Sequence, residues 1–146
     1  MGNPRRVSSG GLIRDSRGRW IKGFTRNIVI SSSVEAELWA LRDGLSLCIS
    51  LNLMALEIEV DAKVVLEWMT NEHSFNLNHS PLIMDYRILI KQVPGVRMMH
   101  CFHEANRCAD ALAQKCPIIQ QDFVVFDSPP VDIVMLLYYD QIGHVL

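Results

Sequence analysis

The order in which strand-like and helix-like patterns follow one another is the feature of this sequence that most narrows the fold. Residues 55–60 alternate Leu, Ile and Val with Ala and Glu, which is the two-residue period of a half-buried strand. Residues 34–49 instead repeat apolar side chains at helical spacing. Strand and helix patterns keep alternating along the chain, so the sequence predicts an α/β fold with a mixed sheet flanked by helices.

The predicted elements begin with a hairpin, whose strands are residues 11–14 and 19–26. The sequence Asp15-Ser16-Arg17-Gly18 between them has the composition of a tight turn. The remaining predictions are, in order, helix 34–49, strand 55–60, helix 62–70, a polar loop at 71–80, helix 81–92, strand 96–102, helix 105–115, a connecting stretch and helix 131–141.

Composition and targeting signals indicate a globular intracellular protein. Hydrophobic residues make up 49% and charged residues 21% of the 146 positions. The N-terminal sequence MGNPRRVSSGG lacks the apolar core of a secretory signal, and the apolar run 133–139 is far shorter than the roughly 20 residues that span a bilayer. We therefore expect no membrane partner, a location in the nucleus or cytoplasm, and reduced, mostly buried thiols. The cysteines form no C-x-x-C pair, which argues against a zinc site.

Charge is distributed unevenly along the chain. The first 26 residues hold seven basic side chains and one acid, whereas the rest holds seven basic and fifteen acidic ones. Two interpretations stay open. The basic end could face phosphates beside an acidic, metal-binding body, or it could be a solvated hairpin with ordinary surface charge.

One glutamate in the first helix occupies an unexpected position. Glu37 lies inside or at the margin of the apolar stripe, and a buried carboxylate costs several kcal/mol unless it is paired, hydrogen-bonded or bound to a metal. Alternatively, the dipole at the helix N-terminus stabilises the Glu37 carboxylate by about 0.3–1 kcal/mol, although Glu35, nearer the start of the helix, fits that explanation better. The stripe itself consists of Val34, Leu38, Leu41, Leu45 and Cys48.

Two aspartates stand at comparable positions. Asp61 ends the strand 55–60, at the C-terminal edge of the sheet where ligand sites collect in open α/β folds, but it could equally cap the next helix. Asp110 flanks the packing stripe of helix 105–115, with Asn106 one turn before it, and the alternative is a solvated helix face. That stripe consists of Ala105, Cys108, Ala109 and Leu112.

Taken together, four segments resemble the ribonuclease H-like domain, and in particular its plant, retroelement-related branch, known as reverse-transcriptase-like or type-1 ribonuclease H. The resemblance covers residues 3–116 and implies a domain at 1–116 that is incomplete at its N-terminus, followed by a C-terminal extension at 117–146 with a short helix. The four segments are GGLIRDSRGRWIKGF, SSSVEAELWALRDGL, EIEVDAKVVLEW and HEANRCADALAQK.

The resemblance also implies a catalytic site. It assigns Glu37, Asp61 and Asp110 as metal ligands, and His103 as a residue that assists proton transfer or product release. Two Mg²⁺ ions held by such carboxylates stabilise the attacking and leaving oxygens when a phosphodiester is cleaved. The implied reaction is endonucleolytic hydrolysis of the RNA strand of RNA–DNA hybrids, which are recognised through phosphates and ribose 2′-hydroxyls.

The sequence departs from the family pattern at its N-terminus. The family's central first strand carries a further aspartate a few residues before a turn like Gly2-Asn3-Pro4, and here only Met1 precedes that turn. Asp15 lies in the following hairpin and cannot replace it. The resemblance thus implies an N-terminally truncated fold with reduced or absent activity, or alternatively a non-catalytic nucleic-acid-binding or interaction remnant. If nothing fills the gap, the hairpin and the strand ending at Asp61 should lie apart, with residues 1–9 at most a poor substitute strand.

Overall fold

A computed structural model describes residues 5–30, 33–60, 65, 67, 80–100, 107–115 and 122–136. Within these ranges strands and helices alternate, and both parallel and antiparallel pairing occur, which confirms the predicted α/β class. Residues 131–136 are also helical, as are Val65 and Glu67. The elements are β1 (Arg5–Arg14), β2 (Trp20–Ile30), α1 (Ser33–Ser50), β3 (Ala55–Val60), α2 (Ser80–Ile90), β4 (Gly95–His100), α3 (Arg107–Ala113) and β5 (Phe123–Phe126).

Strands β1 and β2 form the predicted hairpin, but it is longer than expected. The carboxylate of Asp15 accepts hydrogen bonds from the backbone N–H groups of Arg17 (2.9 Å) and Arg19 (2.8 Å), and Gly18 takes the left-handed conformation with φ 81°. Pairing extends back to Arg5, opposite Ile30. The prediction that the first strand begins at residue 11 is therefore wrong, because antiparallel pairing with β2 makes residues 5–10 extended.

The strands form two separate sheets within the described ranges. One is antiparallel with the order β1-β2-β5, and the other is the parallel pair β3-β4, in which Ala55 lies opposite Gly95 and Val60 opposite His100. The predicted separation of the hairpin from the strand that precedes Asp61 is thus confirmed for this part of the chain. Residues 5–9 continue β1 along β2 and do not bridge the two sheets.

The C-terminal extension contributes to the first sheet. Its strand β5 pairs antiparallel with β2, with Gly23 opposite Phe126, so the prediction of a plain connecting stretch is wrong at residues 123–126. The helical segment 131–136 begins at the predicted residue. Its Ile133 is fully buried against Cys108 and Leu112 of α3, which ties the extension to the core.

Helix α1 packs by the predicted apolar stripe. Leu38, Leu41, Leu45 and Cys48 are all at most 7% exposed, and the stripe meets Ile83 and Tyr86 of α2. The helix ends where Asn52 adopts φ 58°, while the N–H of Leu53 donates to the carbonyl of Cys48 (3.1 Å) and that of Asn52 to Ile49 (3.0 Å). This Schellman motif stops the helix and directs the chain into β3.

Helices α1 and α3 lie on opposite faces of the hairpin. A methyl group on Gly10 would come within 2.8 Å of the Ala113 nitrogen in α3, and one on Gly11 would meet the Phe24 ring at 2.7 Å. The same ring lies next to Gly44 of α1. Neighbouring residues of a strand point to opposite faces, so the two glycines allow a helix to approach from each side.

The helices of the described ranges are all too short or too polar to cross a bilayer. The predicted helix 62–70 and loop 71–80 fall almost entirely outside the described residues.

Candidate functional site

A large cleft separates the two sheets. Its volume is about 930 Å³, and it is bordered by β1 on one side, β3 on the other, and helices α1 and α3. Glu37, the carboxylate that is anomalous in the sequence, lines this cleft and is partly buried. Its role as a metal ligand stays a prediction.

The elements that carry the other predicted site residues border the same cleft. Residues 55–59 of β3 line it, and Asp61 follows the last residue of that strand, although Asp61 lies outside the described residues. Ala109 of α3 also lines it and is followed by Asp110, whose side chain is not described. His103 falls outside the described ranges. The convergence of the four side chains thus stays a prediction, and Glu37 is the member whose placement is known.

Among the side chains that the structure describes, no group of three histidine, cysteine, aspartate or glutamate residues is arranged to hold a metal ion. That set includes Glu37 but not the side chains of Asp61, His103 and Asp110. The chemistry of the predicted donor set, hard carboxylate oxygens, is what Mg²⁺ prefers.

A buried ion pair fixes α1 to the hairpin. Arg26 on β2 donates two hydrogen bonds to the Asp43 carboxylate, at 2.6 and 3.0 Å, and Asp43 is only 3% exposed. Burial raises the pKa of the Asp43 carboxyl above its usual 3.8, and the hydrogen bonds and charge of Arg26 oppose that rise. The Arg26 guanidinium also lies 5.2 Å from the Trp39 ring centre and 4.5 Å from that of Phe123.

This pair was not predicted from the sequence, although a signal was present. Trp39 and Asp43 stand one turn apart on α1 and therefore share a face, away from the apolar stripe. A second arginine on the same face, Arg42, lies over Trp39 at 5.3 Å and donates to Asp85 of α2 at 3.1 Å. Together these contacts hold β2, α1 and α2 in fixed relative positions. They thereby fix the position of Glu37, on α1, relative to the hairpin.

Three basic side chains of the N-terminal segment form ion pairs in the described part of the chain. Arg19 pairs with Asp15 (2.9 Å), Lys22 with Asp127, and Arg26 with Asp43. These pairs favour the interpretation of ordinary surface and structural charge over that of a continuous phosphate-binding edge. Arg17, at the exposed tip of the hairpin, is the described basic side chain best placed to reach a phosphate.

The described cysteines agree with the expectation of reduced, buried thiols. Cys48 and Cys108 are both buried thiols that form no disulfide, and both line the cleft. Burial raises the pKa of the Cys48 thiol to about 11, so this group stays protonated at neutral pH.

Sequence comparison identifies relatives of the chain. The reverse transcriptase-like family matches residues 2–116. An Arabidopsis thaliana protein whose name describes it as a putative ribonuclease H is 34% identical over 142 residues, or 97% of this chain. The chain spans only 23% of the length of that relative.

Comparison of structures agrees on the fold. Ribonuclease H1 from the archaeon Halobacterium salinarum superimposes with a TM-score of 0.74 at 21% identity, covering 82% of this chain and 91% of that one. LC11 ribonuclease H1, solved in complex with an RNA/DNA hybrid, gives a TM-score of 0.70 at 21% identity, covering 79% and 88%. At such identities the likeness establishes the architecture alone. With its ribonuclease H-like fold and a family match over most of its length, the chain belongs to the reverse transcriptase-like family.

Proposed function

We propose that the chain is a ribonuclease H-type domain that binds RNA–DNA hybrids and hydrolyses their RNA strand slowly in the presence of Mg²⁺. The observation that carries the proposal is the shared cleft. Three elements, α1, β3 and α3, border it, and each bears or directly precedes one of the acids Glu37, Asp61 and Asp110. A family match over residues 2–116 supports the same assignment.

In the proposed mechanism Glu37, Asp61 and Asp110 would hold the metal ions. Mg²⁺ held there would supply Lewis-acid stabilisation of the phosphate oxygens and would lower the pKa of an attacking water. Glu37 contributes a carboxylate, and the contacts of α1 with β2 and α2 orient it toward the cleft. His103 assists proton transfer or product release. Arg17 at the hairpin tip contacts a backbone phosphate of the hybrid, which positions the duplex without reading its sequence.

A slow rate is proposed because the two sheets are separate. Glu37 stands on a helix packed mainly against the β1–β2 hairpin and α2, whereas Asp61 follows a strand of the other sheet. Metal ligands work only when their supporting structure holds them in place, and displacements of about 1 Å cost roughly a hundredfold in rate. The same observation favours the second candidate function, a non-catalytic domain that retains affinity for nucleic acid.

A cleavage assay tests the proposal. The purified chain is incubated with an RNA–DNA hybrid labelled on either strand, with Mg²⁺ or with a chelator. We expect slow cleavage of the RNA strand alone, which stops when the metal is removed. A catalytically inactive binding domain would instead retain hybrid affinity that falls with rising salt, without any cleavage. Cleavage of both strands, or cleavage that persists in chelator, would contradict the proposed reaction.

A further inference from the structure

Helix α3, which carries Asp110, is too short to hold its own position. It runs from Arg107 to Ala113, which is seven residues or about two turns. Isolated helices of fewer than about 12 residues are marginal in water, and most of the stability of a helix in a protein comes from the apolar face that it packs against its neighbours. The position of the Asp110 backbone therefore depends on the contacts that surround α3.

The hairpin makes one set of these contacts, and it does so across glycines. A methyl group on Gly10 would lie 2.8 Å from the Ala113 nitrogen, and one on Gly23 would lie 3.2 Å from Leu112 Cδ1. Glycines allow a close approach, but at these points they offer no side chain that could interlock with the ridges of a helix. The two contacts thus set how near α3 lies to the hairpin, while they do little to fix its rotation.

The C-terminal extension supplies the contact that interlocks with α3. Among the described residues, the cluster around this helix has three buried members, Cys108, Leu112 and Ile133, and only Ile133 lies outside α3. Cys108 and Leu112 stand four residues apart on α3 and therefore share one face of the helix, with Asp110 between them in the sequence. A change in the way this face packs on Ile133 would therefore move Asp110.

The extension is itself held to the hairpin, so it can act as a fixed support. Strand β5 pairs with β2, and directly after β5 the carbonyl of Asp127 accepts a hydrogen bond from Trp20 Nε1 at 3.2 Å. Pro129 and Pro130 follow, each with a restricted backbone, and the Pro130 carbonyl accepts a hydrogen bond from the N–H of Ile133 at 2.9 Å. The connection from β5 to Ile133 is therefore short and stiff.

An ion pair joins the same segment to the end of α3. Lys115, just past the helix, contacts Asp132 at 2.7 Å, and its backbone N–H donates to the carbonyl of Leu112 at 3.0 Å. Asp132 is mostly exposed, so the pair adds little stability, but it places the extension beside the last turn of α3. Asp132 and Ile133 are neighbours, so one short segment provides both the apolar and the charged contact with the helix.

We propose that Ile133 is a positioning residue for the metal site, and that the segment 122–136 holds α3 where Asp110 can bind Mg²⁺. The inference rests on the proposed function, since it requires that Asp110 is a metal ligand. It goes beyond the family pattern, because the family match ends at residue 116. When the contact with Ile133 is weakened, α3 is docked in only a fraction of the molecules, and the apparent dissociation constant for Mg²⁺ rises in inverse proportion to that fraction.

The test compares the full chain with its Ile133→Ala variant under conditions in which both are folded. Backbone amide exchange of residues 107–113 is measured without metal, and Mg²⁺ binding is measured by calorimetry. We expect Ile133→Ala to speed exchange in α3 about tenfold and to weaken Mg²⁺ binding about tenfold. In hybrid cleavage, the Mg²⁺ concentration that gives half the maximal rate should rise by about the same factor. The rate at saturating Mg²⁺ should change by at most about twofold, because bound metal selects the docked helix.

Val93→Ala is the control for general destabilisation. Val93 is 5% exposed and precedes β4, at the end of the parallel sheet opposite to the end that leads into Asp61. This variant should leave both the exchange in α3 and the Mg²⁺ affinity unchanged. Ile133→Val, which removes one methyl group, should change both quantities in the same direction as Ile133→Ala but by about threefold or less. The smaller variant keeps the inference testable even where Ile133→Ala does not fold.

The outcomes separate this inference from the proposed function. Unchanged exchange in α3 of Ile133→Ala, or Mg²⁺ binding that weakens equally in Val93→Ala, would overturn the inference and leave the nuclease assignment intact. A loss of cleavage that saturating Mg²⁺ does not restore would also overturn it. Absence of both Mg²⁺ binding and cleavage in the unmodified chain would instead overturn the proposed function, and this inference with it.

Discussion

The Arg26–Asp43 pair is the described contact that holds α1 in place most directly, and it can be tested by removing one partner. In Arg26→Met the carboxylate of Asp43 remains buried without its hydrogen-bond donor. We expect this variant to lose about 3–5 kcal/mol of unfolding free energy at neutral pH, measured by urea denaturation. The double variant Arg26→Met/Asp43→Leu should recover part of that loss, because it leaves no buried charge.

The loss should depend on pH in a defined direction. The pKa of Asp43 is raised above 3.8 in the folded chain, so ionisation of this group opposes folding. The cost is absent below pH 3.8, grows between pH 3.8 and the folded pKa, and is constant above that pKa. Removing Arg26 raises that pKa further, so the destabilisation should shrink as the pH is lowered. The control is Lys115→Met, which removes an ion pair whose acidic partner, Asp132, is 60% exposed; it should cost at most about 1 kcal/mol. Equal losses in Arg26→Met and Lys115→Met would contradict this account.

The position of Glu37 could be predicted from the sequence, whereas the pairing of Arg26 with Asp43 could not. Helical periodicity alone places Glu37 at the edge of a buried stripe, because residues of one helix have fixed angular positions. The ion pair joins a strand to a helix, and its geometry depends on how β2 packs on α1. No local pattern encodes that packing, although the aromatic and acidic residues one turn apart on α1 give a partial signal.

At the level of elements, the C-terminal extension is expected to stabilise the domain that it follows. Ile133 is fully buried against Cys108 and Leu112, so Ile133→Ala should lower the unfolding free energy by about 2–5 kcal/mol. Val131→Ala is the matched control, since Val131 is 89% exposed and its truncation should change stability by at most about 0.5 kcal/mol. A shift of the urea midpoint that is the same for both variants would show that the segment 131–136 does not pack as described.

The elements that the sequence predicted well are those with a clear period. Helix α1 and strand β3 agree with the predictions to within a residue at each end, because the apolar stripe and the two-residue alternation reflect burial directly. Residues 5–10 and the strand β5 were missed. The segment RRVSSG has few strand-forming residues, and FVVF is four residues without alternation. Both become strands because they form hydrogen bonds with β2.

For the whole molecule, the main feature is a ribonuclease H-like fold whose sheet is divided by a cleft. The predicted separation followed from the resemblance to a family with a central first strand. The size of the cleft could not be predicted, because it depends on how far the two sheets stand apart. The division of the sheet is also the reason why the proposed hydrolysis is slow.

The central claim is that Glu37, Asp61 and Asp110 act together on one phosphodiester. The most direct measurement is the rate of Mg²⁺-dependent cleavage of an RNA–DNA hybrid by the full chain and by its acid-to-amide variants. Glu37→Gln, Asp61→Asn and Asp110→Asn should each lower the rate at least about tenfold, while Glu35→Gln, two residues from Glu37 on the same helix, should retain it. Cleavage that survives Glu37→Gln or Asp61→Asn, or that falls equally in Glu35→Gln, would contradict the account.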